Sequence, residues 1–287
     1  MPDDPTDELK QLLSSLYGDA SKHSGYQTMP DFVAERLGFQ SVIDQRWRGD
    51  RVRLDYIRRV IRDDPQSWCD FGANTGFFSL SLAEASPRTE VLAVEANPRH
   101  AELIERVSAA CRLPNLRVLS RSIGIRELDE LGRVDVLLHM NVLHHAGVDF
   151  DTDVVGGPGE FADYAIHYLT RVAAISDRLV FQAGVNLGGD KSRPILDRAD
   201  HATRTRYWSD LLRAAGWRVL DCALARSESN GSVAYLSMPA RLLEFLGSPR
   251  DEPGAVMDEW FAGLGLDRHP GEFFLRPIFY CAAGRGR

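Results

Sequence analysis

Residues 68–79 read Trp-Cys-Asp-Phe-Gly-Ala-Asn-Thr-Gly-Phe-Phe-Ser, and this stretch decides how the rest of the chain is interpreted. A short apolar strand ends at Asp70, and an apolar helix is predicted over 77–85. The turn between them contains Gly72, Asn74 and Gly76. Glycine adopts a left-handed backbone freely and asparagine tolerates it. The turn therefore brings bare backbone N–H groups to a helix N-terminus, beside an acid that attracts a cation.

The pattern Asp70-x-Gly72-x-Asn74-x-Gly76 resembles the first motif of class I methyltransferases that use S-adenosylmethionine (SAM). SAM combines ammonium, carboxylate and sulfonium groups, which suit a strand-end acid and free N–H groups. The dinucleotide fingerprint fits poorly, because Ala73 and Asn74 break its glycine spacing. No Gly-Lys-Ser/Thr follows, which excludes a P-loop. The resemblance implies that the four motif residues bind SAM and its product S-adenosylhomocysteine (SAH). An ordinary strand-to-helix turn is the alternative.

A second acid stands at the end of the next predicted strand, 90–95. Glu95 follows Asp70 at about the spacing where an acid binds a ribose in α/β nucleotide sites. The sequence Val-Glu-Ala-Asn-Pro resembles the second methyltransferase motif, so Glu95 and Ala96 are predicted cofactor contacts. Ser122 and Ile123, after the strand predicted at 116–120, are candidates for adenine contacts. A polar turn there is an equally weighted alternative.

Strand 134–140 runs into Asn141-Val-Leu-His-His. The carboxyl ends of strands face the ligand in such sheets, so Asn141 is a predicted cofactor contact and His144 and His145 are predicted catalytic residues. Histidine can take the proton that a hydroxyl or ammonium acceptor must lose. Adjacent side chains do not point the same way, so one histidine faces the site and which one remains open. Polar residues that cap the following loop are the alternative.

Strands and helices alternate from residue 67 onward, which predicts an α/β fold with a mostly parallel sheet. A closing strand at 277–282 completes it, antiparallel as in the Rossmann-like sheet of class I methyltransferases. Residues 1–62 are predicted to form an N-terminal helical cap, and 63–287 the SAM-dependent methyltransferase domain. The irregular, proline-containing segment 226–276 is interpreted as a substrate-side insertion before the last strand.

The composition of the chain argues against several classes of partner and site. The net charge of −7 argues against a nucleic-acid partner, whose binding depends on neutralising phosphates. The four cysteines form no C-x-x-C pair, so buried free thiols are expected rather than a metal site or a disulfide framework. No apolar run is long enough to span a bilayer, and the acidic N-terminus does not resemble a signal peptide. A cytoplasmic enzyme is the default, and the N-terminal helices and the late insertion are plausible homodimer surfaces.

A Trp-Arg segment at 47–48, the Val-Leu-His-His sequence at 142–145 and Gly189-Asp190 add a narrower resemblance. This layout is similar to the tRNA wobble-uridine carboxymethyltransferase family and its methyltransferase relatives, over about residues 40–225. In the tRNA enzymes basic residues hold a carboxylated SAM. The resemblance implies that Trp47, Arg51 and Arg53 would have that role here. The fold and the methyl-transfer chemistry are carried over, and the tRNA substrate is not.

The substrate side is predicted from position alone. The segment 146–159, rich in Asp and Gly, is interpreted as a mobile lid. Predicted substrate contacts are Tyr26, Trp47, Arg53, Gln182 and Asn186. The leading hypothesis is a SAM-dependent methyltransferase acting on the oxygen or nitrogen of a small-molecule acceptor, for example in specialised metabolism. A tRNA-modifying (carboxy)methyltransferase and a non-catalytic SAM-binding protein are the alternatives.

Overall fold

The computed structural model describes residues 5–18, 27–39, 49–196, 200–227, 232–247, 255–264 and 272–284. The chain divides into two compact units. The first contains residues 1–50 and 63–122, and the second contains residues 51–62 and 123–287. The segment 1–62, predicted as a helical cap, is thus shared between the units.

The helices are, in chain order, α1 (Pro5–Gly18), α2 (Asp31–Leu37), α3 (Asp50–Val60), α4 (Phe77–Ala85), α5 (Pro98–Ala110), α6 (Phe161–Ile175), α7 (His201–Ala214), α8 (Ala240–Gly247) and α9 (Ala255–Gly263). The strands are β1 (Ser67–Phe71), β2 (Glu90–Glu95), β3 (Leu116–Ser120), β4 (Val134–Met140), β5 (Ser176–Gln182), β6 (Trp217–Ser227), β7 (Val233–Ser237) and β8 (Ile278–Ala283).

In the first unit, β1, β2 and β3 are parallel, with β2 in the middle. Asp70 lies beside Ala93 and Glu95 beside Ser120, so both acids stand at the carboxyl ends of their strands. Helix α4 is apolar around most of its circumference, and its first seven residues are all buried. A helix with that pattern belongs inside a core rather than at a surface, which fixes the turn that precedes it.

In the second unit, the strand order is β4-β5-β8-β6-β7. Strands β4 and β5 are parallel, and β8 runs antiparallel to both of its neighbours, β5 and β6. A final strand inserted in the reverse direction was the expected feature of the sheet. The prediction of an α/β, mostly parallel sheet with an antiparallel last strand is therefore confirmed.

The segment 226–276 is more regular than expected. Strand β7 forms a hairpin with β6, in which Ala223 pairs with Ser237 and Ser227 with Val233. Helices α8 and α9 follow, and Leu242 and Leu246 of α8 are buried. The expectation of an irregular stretch was wrong here. The prolines suggested loops, but the segments between them form a five-residue strand and two short helices.

The four cysteines are buried free thiols, as predicted. Among the described residues, none of the helices has both the length and the apolar character needed to span a bilayer. Within the same ranges, His, Cys, Asp and Glu side chains form no group of three or more that could hold a metal ion.

Candidate active site

The turn after β1 has the left-handed backbone that its composition predicts. The φ angles are +75° at Gly72, +53° at Asn74 and +86° at Gly76. The N–H groups of Gly72 and Ala73 donate to the Val94 carbonyl, each at 2.9 Å, and tie the turn to β2. A Cβ atom at Gly76 would lie 2.7 Å from Ile104 Cγ1, so glycine is required there by space as well as by conformation.

Glu95 joins the turn to the end of β2. Its Oε2 accepts from the Asn74 backbone N–H at 2.7 Å, and its Oε1 accepts from the Asn97 N–H at 2.8 Å. Burial raises the pKa of the Glu95 carboxyl, and these backbone hydrogen bonds oppose the rise. A carboxylate has about four lone-pair sites. The Ala96 backbone N–H also interacts with the carboxylate, and His100 Nδ1 lies 3.9 Å from Oε1. The carboxylate therefore keeps acceptor capacity for a further donor, such as a ribose hydroxyl.

Asp70 is a buried acid with 2% of its surface exposed. Its Oδ2 accepts from the Ser79 N–H at 3.0 Å and from the Ser79 hydroxyl at 2.5 Å. Burial raises the pKa of Asp70 to about 6, against the opposing effect of the Ser79 hydrogen bonds. Across the described ranges, no Lys or Arg forms an ion pair with this carboxylate. A ligand ammonium would supply the opposite charge that its ionised form needs.

Residues from the N-terminal segment also support the turn. The Gln27 side chain accepts from the Phe77 N–H at 3.2 Å, and the Tyr17 hydroxyl donates to Thr75 Oγ1 at 3.1 Å. One N–H at the start of α4 that was expected to face a ligand is thus used by the protein. Sequence reasoning missed Gln27 and Tyr17, because nothing local links them to residues 50 or more positions away.

The remaining cofactor candidates are placed as follows. Ala96 and Ser122 are exposed in the first unit, whereas Ile123 is buried in the second. Tyr26 and Trp47, two predicted substrate contacts, lie outside the described residues.

Asn141 follows β4 in the second unit with a left-handed backbone, φ +64°. Its N–H donates to the Gln182 carbonyl at 2.6 Å, and its Nδ2 donates to Gln182 Oε1 at 2.9 Å. Its Oδ1 accepts from Arg276 Nη1 at 2.8 Å. These bonds occupy both ends of the amide, so the Asn141 side chain fixes the end of β4 in this structure.

Gln182 is the centre of that network and is fully buried. Its Oε1 also accepts from Arg53 Nη1 at 3.2 Å, and its Nε2 donates to the Tyr235 hydroxyl at 3.2 Å and to the Arg276 carbonyl at 3.0 Å. The structure therefore brings the predicted residues Arg53, Gln182 and Asn141 together. It adds Arg276 and Tyr235, which the sequence did not indicate. Asn186 is half-buried and pairs through its backbone with Pro194.

The two histidines share a 3-10 turn, Leu143–His145, and their ring centroids are 4.4 Å apart. His144 is buried, and its Nδ1 accepts from the Gly184 backbone N–H at 3.2 Å. An acceptor Nδ1 carries no proton, so the neutral ring carries its proton on Nε2. Burial, and then the positive charge of Arg276, hold the pKa of His144 well below its ordinary value. His144 is therefore neutral at physiological pH and can only donate through Nε2.

His145 has the opposite arrangement. Its Nδ1 lies 2.6 Å from Asp149 Oδ2, and 26% of its side chain is exposed. An ionised carboxylate only accepts, so Nδ1 carries the proton and Nε2 of the neutral ring keeps a lone pair. An imidazole oriented by a carboxylate in this way can act as a general base. The sequence analysis includes Asp149 only as one residue of the Asp-rich segment 146–159. Its i,i+4 spacing from His145 is the signal that could have indicated the pair.

No protein-family model matches the chain, and no curated protein matches it. Solved structures do. A co-crystal structure of WbdD with the kinase inhibitor LY294002 is 15% identical, covers 95% of this chain and 47% of that chain, and has a TM-score of 0.51. A structure of WbdD described as a bifunctional kinase-methyltransferase is 14% identical, covers 95% and 46%, and has a TM-score of 0.50.

The chain thus spans about half the length of the WbdD structures it matches. The N-terminal domain of EvdMO1, in the presence of SAH and D-fucose, is 17% identical over 80% of this chain and 94% of that chain, with a TM-score of 0.48. The two WbdD likenesses, together with the strand directions, show the fold: it is Rossmann-like, with a mostly parallel sheet and an antiparallel last strand.

Proposed function

We propose that this protein is a SAM-dependent methyltransferase that acts on an oxygen atom of a small-molecule acceptor. The observation that carries the proposal is the contact between the Asn74 N–H and Glu95, which locks the glycine turn to a strand-end acid. Two buried or nearly buried carboxylates at the ends of adjacent parallel strands then suit a ligand with a ribose diol and an ammonium group.

The roles in cofactor binding follow from the donors and charges that each residue offers. Glu95 keeps acceptor capacity for a ribose hydroxyl beside the bonds from the Asn74 and Asn97 N–H groups. Asp70 offers a buried negative charge for the ammonium group, and its Oδ1 is not used by Ser79. When bound, SAM supplies a methyl group on a positively charged sulfur. The protein's task is to align it and to remove a proton from the acceptor.

His145 is the proposed general base. The Nε2 lone pair of its neutral ring accepts the proton of the acceptor hydroxyl, and Asp149 stabilises the imidazolium that results. His144 cannot take this role, because its Nδ1 is engaged by Gly184 and its pKa is strongly depressed. An acceptor of small size is favoured over a nucleic acid by the net charge of −7.

Calorimetric titration with SAH tests cofactor binding. Glu95→Gln removes charge from the ribose contact, and the loss of a charge-assisted hydrogen bond predicts a Kd roughly tenfold higher or more. Glu90→Gln is the matched control, since Glu90 is exposed at the opposite end of the same strand. Equal affinity of both variants and the wild type, or no SAH binding at all, would contradict the proposal.

Transfer is tested with methyl-labelled SAM and a panel of hydroxylated and amine-bearing small molecules, with total tRNA included. We expect label on a hydroxylated compound, abolished or strongly reduced in His145→Gln and retained in His167→Gln, whose histidine is exposed on α6. Label on tRNA instead would overturn the acceptor class. SAH binding without transfer to any member of a broad panel would favour the non-catalytic alternative.

A further inference from the structure

The residues after His145 fold back in a tight turn that carries Asp149. The N–H groups of Val148 and Asp149 donate to the His145 carbonyl at 3.0 and 2.9 Å, and the Gly147 N–H donates to the Phe150 carbonyl at 2.7 Å. This turn places the Asp149 carboxylate next to the His145 imidazole, from which it accepts a hydrogen bond.

The turn is exposed to water. The Asp149 side chain is 55% exposed, and Val148 is 39% exposed. Short hydrogen-bonded turns are marginal in water, because they order several residues for few bonds. Segments with exposed hydrogen bonds are also the first to open in native proteins. The His145–Asp149 geometry therefore requires an attachment elsewhere in the unit.

Asp151 provides that attachment. Its Oδ2 accepts from the Ile125 backbone N–H at 2.9 Å and from the Tyr164 hydroxyl at 2.5 Å. Ile125 lies between β3 and β4, and Tyr164 is on α6, so one carboxylate oxygen joins the loop to two separate parts of the unit. The Asp151 carbonyl accepts from the N–H groups of Val154 and Val155 at 3.0 and 3.2 Å.

Two further features show that this position is fixed by its bonds. Asp151 has a φ of +49°, a region that favours glycine. A Cβ atom on Gly124 would lie 2.2 Å from Asp151 Oδ1, so the carboxylate is packed directly onto the backbone it binds. The hydrogen bonds of the Asp151 side chain offset the unfavourable left-handed backbone at this residue.

We propose that Asp151 is a positioning residue for the His145–Asp149 pair, a proposal that rests on the proposed function of His145. By holding the loop two residues beyond Asp149, it keeps the Asp149 carboxylate on Nδ1 and so keeps the Nε2 lone pair available. The segment 146–159, predicted as a mobile lid, would then be a support for the base.

The loop offers its own control. Asp153 pairs with Arg126 at 2.6 Å, but both side chains are more than 60% exposed. Exposed ion pairs contribute little. Removing Asp153 therefore changes the charge of the same loop without removing its attachment.

The experiment is NMR of the full chain labelled with ¹⁵N-histidine, with the His145 ring identified by its loss in His145→Gln. Wild-type His145 should be protonated on Nδ1, with a slowly exchanging proton, and Asp149→Asn should abolish this signature. Asp151→Ala should accelerate exchange of that proton at least tenfold, Tyr164→Phe should give an intermediate value, and Asp153→Ala should match the wild type.

Exchange within twofold of the wild type in both Asp151→Ala and Tyr164→Phe would overturn the inference while leaving the His145–Asp149 pair intact. If Asp151→Ala does not fold, Tyr164→Phe decides, because it keeps the Ile125 bond and removes only the other. If Asp149→Asn changes nothing, the pair itself is absent, and both this inference and the proposed base fail. SAH titration of each variant separates these outcomes from loss of cofactor binding.

Discussion

The buried acid Asp70 should make the protein less stable at neutral pH than it would be with a neutral side chain. Its pKa rises from 3.8 to about 6 on folding, mainly through burial. The folded state thus holds the proton more tightly than the unfolded state. The free energy of unfolding therefore falls as the pH rises between these two values, and the full cost is present above pH 6.

The magnitude follows from the shift. One pKa unit corresponds to about 1.36 kcal/mol, so a shift of about two units costs about 3 kcal/mol at pH 7.5 and about half of that at pH 5. Asp70→Asn removes the cost but weakens the two hydrogen bonds from Ser79. Allowing about 1 kcal/mol for that loss, we expect a net gain of about 2 kcal/mol at pH 7.5 and little or none at pH 5.

Urea unfolding at the two pH values measures this difference, provided that the slope m is the same for both proteins. Asp64→Asn is the control, since Asp64 is exposed in the loop before β1. Asp70→Asn should also lose affinity for SAH, because the ammonium group of the ligand no longer meets a negative charge. An effect of Asp70→Asn that is equal at both pH values would refute the reasoning, because folding would then not raise the pKa of Asp70.

Two glycines give further predictions. Gly76→Ala combines a left-handed backbone with a 2.7 Å approach to Ile104, so it should cost about 2–5 kcal/mol in urea unfolding, whereas Gly38→Ala, with the same left-handed backbone and open space, should cost only about 1–2 kcal/mol. Gly184→Ala has no such backbone strain but places Cβ 2.9 Å from His144 Cδ2 and Nε2, so we expect a loss of about 1–3 kcal/mol and a shifted His144 ring signal in NMR. Equal losses for Gly76→Ala and Gly38→Ala would contradict the first prediction, and an unchanged His144 signal would contradict the second.

The fold was largely predictable because its signals are local. The bounds of β2, β3 and β4 match the sequence prediction, since each is a short apolar run closed by a turn signal. Strand β7 was not predicted, because a five-residue segment flanked by Ser232 and Pro239 resembles a loop. Its partner β6 supplies the pairing that defines it, and that partner is a tertiary feature.

The candidate site was predictable in composition but not in its bonding. Gln182 and Asn141 were both selected from strand-end position, which the parallel sheet justifies. That they bind one another, and that Arg276 closes the network from almost 100 residues away, depends on the antiparallel last strand. No pattern around Gln182 could have indicated these partners.

The neighbouring histidines show most clearly what tertiary contacts decide. The sequence treats His144 and His145 alike, and both lie in one 3-10 turn. A backbone donor at Gly184 forces the proton of His144 onto Nε2, while the carboxylate of Asp149 forces that of His145 onto Nδ1. One turn therefore offers one Nε2 donor and one Nε2 acceptor. Only the Nε2 of His145 can accept a proton, so the two rings cannot share the role of base, and His145 is the residue whose substitution tests that role.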